Sequence, residues 1–205
     1  DEIIPFKKEE LVDYILSGGG TILDKFDDVQ DCTKKNIFLL ANTYLRTMKY
    51  IQCIAAGICC IKHHWVQNCC FKGEVLNHAS YILPAGKSLV NNQIVEWHGK
   101  NDVLKGLKLS LISGPDNQFV QTWAPVLLAA KADFVLKWNL PSSKSGGCIY
   151  VDVLITNSHC PPDVLVSAKR RKIPIVSCEW IIQSLIAGKC LPYDAHPKFR
   201  HDSNE

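Results

Sequence analysis

Ile58-Cys59-Cys60-Ile61-Lys62-His63-His64-Trp65-Val66 and Ile173-Pro174-Ile175-Val176-Ser177-Cys178-Glu179-Trp180-Ile181 carry the same pattern: a short apolar strand running into a helix that holds a tryptophan. Ile58 pairs with Ile173 and Trp65 with Trp180, an offset of 115 residues. Downstream, Gly73 meets Gly188 and Leu76 meets Leu191. Upstream, Phe38-Leu39-Leu40-Ala41-Asn42 falls on Val153-Leu154-Ile155-Thr156-Asn157 without a gap. A repeat of this kind implies two copies of one supersecondary unit. The unit reads as apolar strand, helix, short strand and tryptophan helix.

The second copy reads in full. Leu107 to Ser113 is an apolar run between Gly106 and Gly114, which predicts a buried strand. Asn117 is the expected cap of a helix whose apolar face is Phe119, Val120, Trp123, Val126 and Leu127, with Pro125 shortening or kinking it. Phe134-Val135-Leu136 is a short strand, Pro141 to Gly147 a polar loop, and Val151 to Thr156 the next strand. Pro161-Pro162-Asp163 opens a helix to about Lys172, with proline and an acid where a first turn favours them. Pro174-Ile175-Val176 is a strand, and a last helix from Cys178 or Glu179 stops at Gly188. Strands alternating with helices predict a parallel sheet covered on both faces.

The first copy begins with a helix from Glu9 to Ser17, a stop at Gly18-Gly19-Gly20 and a strand at Thr21-Ile22-Leu23. The counterpart of Leu107 falls before residue 1, so the opening strand of this copy is expected upstream, with the chain a fragment. The expected divisions are 1–76 for the first copy, 77–103 for a linker and 104–205 for the second copy.

Composition excludes several classes. No run of about 18 apolar residues supports a membrane span, and Asp1-Glu2-Ile3-Ile4-Pro5 lacks the basic flank and apolar core of a secretory signal. A net charge of +3 is too small to imply nucleic-acid binding by itself. None of the ten cysteines forms a C-x-x-C. Even with His63 and His64 between the Cys59-Cys60 and Cys69-Cys70 doublets, the spacing is not that of a zinc site, and no metal is expected. Reduced thiols packed as small hydrophobes fit a reducing compartment, cytosol or nucleus. No G-x-S-x-G, Walker loop, H-E-x-x-H or kinase motif occurs, so no catalytic residue and no cofactor is expected.

The glycine turn Gly18-Gly19-Gly20 and the tryptophans Trp65 and Trp180 resemble the marks of the BRCT family. The resemblance covers nearly the whole chain. It implies an α/β fold of two tandem BRCT repeats, each a small parallel four-stranded sheet flanked by helices, with the first strand of repeat one absent from this chain. Arg46-Thr47-Met48-Lys49-Tyr50, Tyr81 to Leu89, Val176 to Gln183 and His196 to Asp202 are more similar still to one member, a nuclear scaffold of double-strand-break repair and checkpoint signalling. That likeness implies a non-enzymatic, chromatin-associated module whose partners are a phosphorylated histone tail, the p53 core domain and other damage-response proteins, with no membrane or small-molecule substrate.

The site residues follow. Lys49, with Arg46 and Thr47, falls in the first turns of a helix expected to begin near Thr43, where free amides and the helix dipole suit phosphate. The family places its phosphate-gripping lysine in this helix of the first repeat, partnered by a Ser or Thr and a Gly after the first strand. At the 115 offset Lys49 meets Val164 and Arg46 meets Pro161, so the second copy lacks these cations. Asn68, Ser80, Tyr81 and Glu96 are the expected surface for the p53 domain, with Asn68 and Ser80 standing where the similar member has Asp and Asn. Trp65, Trp180 and Gly19 are expected structural residues, and Met48, Ile51 and Ile54 are expected to face Trp123 and Leu127 between the repeats. Lys169-Arg170-Arg171-Lys172 either complements the dipole of its helix or meets nucleic acid or an import receptor. The rival reading of the whole chain is a DNA-binding BRCT module acting at DNA ends.

Overall fold

The computed structural model describes residues 6–26, 36–113, 117–135, 150–157 and 159–201. The first half holds α1 (Lys8–Ser17), β1 (Phe38–Ala41), α2 (Met48–Ala56), β2 (Cys59–Lys62) and α3 (His64–Lys72). A 3-10 turn at Ala79–Tyr81 and the strands β3 (Gly86–Lys87) and β4 (Ile94–Val95) follow. The second half holds β5 (Lys108–Ile112), α4 (Gln118–Ala129), β6 (Asp133–Val135), β7 (Val153–Thr156), α5 (Pro162–Arg170), β8 (Ile175–Val176) and α6 (Cys178–Ala187), closed by a 3-10 turn at Pro197–Phe199.

The repeat read from sequence is reproduced in hydrogen bonds. β1 and β2 pair in parallel with Leu39 opposite Cys60, and β7 and β8 with Leu154 opposite Ile175, the same register at the 115 offset. Trp65 Nε1 donates to Leu76 O at 3.0 Å, and Trp180 Nε1 donates to Leu191 O at 2.8 Å. The second half forms a four-stranded parallel sheet of order β6-β5-β7-β8.

Among the described residues the first half forms a two-stranded sheet, β1-β2. Thr21-Ile22-Leu23, expected as a strand, is not one. A strand needs a neighbour for its backbone groups. In the second half β5 supplies that neighbour to both β6 and β7, whereas among the described residues no strand lies on the outer side of β1. Val153, Leu154 and Ile155 are accordingly buried, while Phe38, Leu39 and Leu40 are only half-buried.

Other boundaries shift. α2 starts at Met48 rather than near Thr43, because residues 42–47 are not helical and Thr47, at the cap position, is extended. α4 continues past Pro125 to Ala129, so the proline does not shorten it. The proline is the eighth residue of the helix, so only one intrahelical N–H is lost there. Asn117 occupies the cap position without a side-chain hydrogen bond. The loop at 141–147, Leu136, Cys32 and Cys148 lie outside the described residues. Gly19 sits on an exposed turn, not in the core; its backbone, at φ 78°, is what calls for glycine. Trp180 is fully buried, but Trp65 is half-buried, because its ring rests on Phe38 of the thinner sheet with centroids 5.4 Å apart.

A single apolar cluster joins the two halves. Tyr50, Ile51, Ile54 and Ala55 of α2 share it with Trp123, Val126 and Leu127 of α4 and Ile182, Leu185 and Ile186 of α6, with Met48 at its margin. The expected facing of α2 and α4 is therefore present, with α6 as a third wall.

Candidate functional site

Thr47 holds the cap position of α2 in extended conformation, and its hydroxyl makes no capping bond. The first intrahelical bond is donated by Ile51 N to Thr47 O at 3.1 Å, so the amides of Met48, Lys49 and Tyr50 precede the helical ladder. Lys49 is the second residue of the helix and is exposed, and its Nζ reaches Asp24 O at 3.5 Å. Tyr50 is buried and donates from its hydroxyl to Pro84 O at 2.7 Å, which ties the start of α2 to the connecting segment. The α2 N-terminus thus offers free amides, a free hydroxyl and an ammonium within one turn, a set suited to an anion.

The equivalent helix of the second half offers none of this. Pro161 and Pro162 remove amides from its start, Asp163 adds negative charge, and Val164, the counterpart of Lys49, is 6% exposed.

Arg46 lies before the helix, not within it, and is half-exposed. Its guanidinium pairs with the carboxylate of Glu179 on α6. Glu179 Oε1 accepts from Gln183 Nε2 at 3.2 Å. Gln183, buried, also donates to Lys87 O at 3.3 Å and accepts from Leu89 N at 2.8 Å. One polar chain therefore links the first half, the connecting hairpin and α6.

Beside Arg46 opens a cavity of about 250 Å³. Tyr44 and Leu45 before α2, Ile51 and Ile54 on it, the hairpin from Ala85 to Leu89, and Ile182, Leu185 and Ile186 on α6 form its walls. Arg46 and Lys87 are its only charged lining residues. Sequence reading missed it, because its walls come from three segments far apart in the chain.

The other expected surface is partly assembled. Asn68 on α3 donates from Nδ2 to the Tyr81 hydroxyl at 2.8 Å. Ser80 is exposed next to Tyr81, and Glu96 is exposed one residue past β4. Leu83 is buried and its N–H donates to Cys60 O at 2.8 Å, so it fastens the connecting segment to β2. Phe71, one turn after Asn68 on α3, and Val75 just past that helix are 87% and 80% exposed.

The eight described cysteines are free thiols, and no group of three or more His, Cys, Asp or Glu among the described residues has the arrangement of a metal site. Burial pushes the Cys59, Cys160, Cys178 and Cys190 thiols up. Cys53 and Cys60 share a hydrogen bond that pulls the first down and pushes the second up. His63 is buried with Nδ1 unpartnered, and burial together with neighbouring His64 holds its pKa below the usual imidazole range. No helix of the described residues is long and apolar enough to cross a membrane.

The family model for the BRCA1 C Terminus (BRCT) domain matches residues 102–204. The chain belongs to the BRCT family. Among solved structures it is similar to the BRCT5-BRCT6 domains of S. pombe Brc1, at 16% identity and TM-score 0.55, over 98% of this chain and 94% of that one. It is likewise similar to Rtt107p in its complex with a phosphorylated histone, at 16% identity and TM-score 0.53, over 90% of this chain and 83% of that one. At this identity the likeness shows the fold, a tandem BRCT arrangement of mixed α/β repeats.

Proposed function

We propose that the chain is a non-enzymatic interaction module that reads a phosphorylated peptide through its first repeat. In this reading the repeats divide at 1–76 and 104–205, with 77–103 as the linker. Lys49 and the α2 amides take the phosphate, Thr47 donates from its hydroxyl, and Arg46 meets the peptide beyond the phosphate. The cavity beside Arg46 receives an apolar side chain of the same peptide. The observation that carries this is the contrast between the repeats: an exposed ammonium at Lys49 against a buried aliphatic at Val164.

A phosphorylated histone tail is the peptide class we favour, since similar Rtt107p was solved with a phosphorylated histone. That partner fits a nuclear, chromatin-associated scaffold of the DNA-damage response, as does the sequence likeness to the p53-binding member of the family. The decisive experiment titrates phosphorylated and unphosphorylated histone-tail peptides. Preference for the phosphorylated form, reduced at least tenfold in Lys49→Met with an unchanged melting temperature, is the expected result. Equal affinity for both peptides, or an unaltered Lys49→Met, rules the pocket out.

A second contact, with the p53 core domain, is favoured by the Asn68–Tyr81 hydrogen bond beside exposed Ser80, Phe71 and Val75. Asn68 brings no charge to this face and Glu96 is the one acid among its expected residues, so the contact should be weak and only modestly salt-dependent. Titration with the p53 core domain at low and moderate salt tests it, and absence of binding in both removes this partner.

A further inference from the structure

We propose that the second repeat carries a surface for the phosphate backbone of duplex DNA, built from Lys169 and Arg170 in the last turn of α5, Lys172 beyond it, and Lys198 and Arg200 of the closing segment. Two separate stretches of chain converge here. Lys172, at φ 56°, turns the chain from α5 toward β8. The closing segment returns antiparallel to β8, with Arg200 opposite Val176 and His201 N donating to Ile175 O at 3.4 Å. It therefore runs back toward the turn that holds Lys172.

All five cations are exposed, and none has an ion-pair partner among the described residues. The whole chain carries +3, so with these five set aside the remainder is net acidic. Complementing the α5 dipole accounts for Lys169 and Arg170. It does not account for Lys172, outside the helix, nor for Lys198 and Arg200 on another segment. The internal repeat sharpens the contrast. The counterparts of Lys169 and Arg170 are Ile54 and Ala55, both buried at the junction of the repeats. The same position in the architecture packs inward in one copy and presents charge to solvent in the other.

The shape favours a nucleic-acid backbone over a peptide or a membrane. None of the residues lining the cavity beside Arg46 comes from α5 or the closing segment, so that slot for a peptide side chain lies elsewhere. Val166 is the only large apolar residue of α5 that is exposed, too little for insertion into lipid. Long exposed cations on a helix end and on a second segment suit phosphates, which need no pocket.

The test is fluorescence anisotropy of a labelled duplex of about 20 base pairs and arbitrary sequence, titrated across a salt series. If all five cations meet phosphates, the log–log salt slope is about −4.5, and affinity falls about 100-fold between roughly 50 and 150 mM salt. The variant Lys169→Gln/Arg170→Gln/Lys172→Asn, with asparagine chosen for the positive φ, should lower the slope to about −2. Its low-salt affinity should fall at least tenfold, with phosphopeptide binding unchanged. Lys198→Gln/Arg200→Gln, on the separate segment, should reduce the slope by about two, and decides the matter should the triple variant fail to fold. Absence of duplex binding at the lowest salt, or variants that bind like the parent, overturns the proposal. Equal or tighter binding to phosphatidylserine vesicles than to duplex overturns it in favour of a membrane. Because Lys49 takes no part, Lys49→Met should bind duplex normally, so this surface and the phosphopeptide pocket fail or stand separately.

Discussion

The two tryptophans show how equivalent residues acquire unequal weight. Both donate from the indole to a carbonyl eleven residues on, yet Trp180 is fully enclosed and Trp65 is half open to solvent. Trp180→Ala removes a large ring from the core shared by both repeats and also takes the indole donor from the Leu191 carbonyl. The expected loss is about 3–5 kcal/mol, enough to unfold a domain of ordinary stability. Trp65→Ala forfeits less buried area and should cost clearly less. Urea unfolding of both variants checks the order, and equal costs would contradict the reading of the first sheet as the thinner one.

At the scale of elements, α6 is held at both of its ends. Ser177 caps it, accepting from Glu179 N at 3.3 Å and donating to Lys198 O at 2.6 Å. Gly188 ends it at φ 63°, and a Cβ there would lie 2.9 Å from His98 Cδ2. His98 Nε2 bonds Leu185 O at 2.9 Å, and Lys100 Nζ donates to Gly188 O at 3.1 Å, so linker residues cover the helix end. Gly188→Ala adds left-handed strain to that clash. It should destabilise by about 1–3 kcal/mol. Gly73, at φ 68° with nothing near its missing Cβ, should tolerate alanine better. Thermal melts of the two variants distinguish them. Much of this was legible beforehand: Cys178 and Gly188 bound α6 where the apolar period and the stop signal put them. The Lys49/Val164 contrast was legible for the same reason, because a repeat makes one copy a control for the other. What escaped was set by tertiary neighbours. Thr21-Ile22-Leu23 has strand composition and no strand beside it among the described residues, and the hairpin β3-β4, closed by a turn in which Ser88 Oγ accepts from Val90 N at 3.2 Å and Asn92 stands at φ 60°, is held on α6 through Gln183. The start of α2 lies five residues later than expected, with Tyr44 packed against the core ahead of the helix.

Across the molecule, one core spans both repeats, and α6 of the second carries the carboxylate that holds Arg46 of the first. The surface proposed for recognition is therefore a property of the pair. The two sheets nevertheless differ in width, and the difference reaches the backbone. β7 is bonded on both flanks, by β5 and β8, whereas β1 is bonded by β2 alone among the described residues. In a parallel strand, alternate N–H groups point to opposite sides. Half of the amides between Phe38 and Ala41 should thus exchange with deuterated water quickly, while those from Val153 to Thr156 are retained until the repeat opens globally. A mass-spectrometric time course on the native protein would read two unlike clocks from two stretches of nearly the same sequence pattern, and slow exchange along β1 would mean that something already lies against its flank.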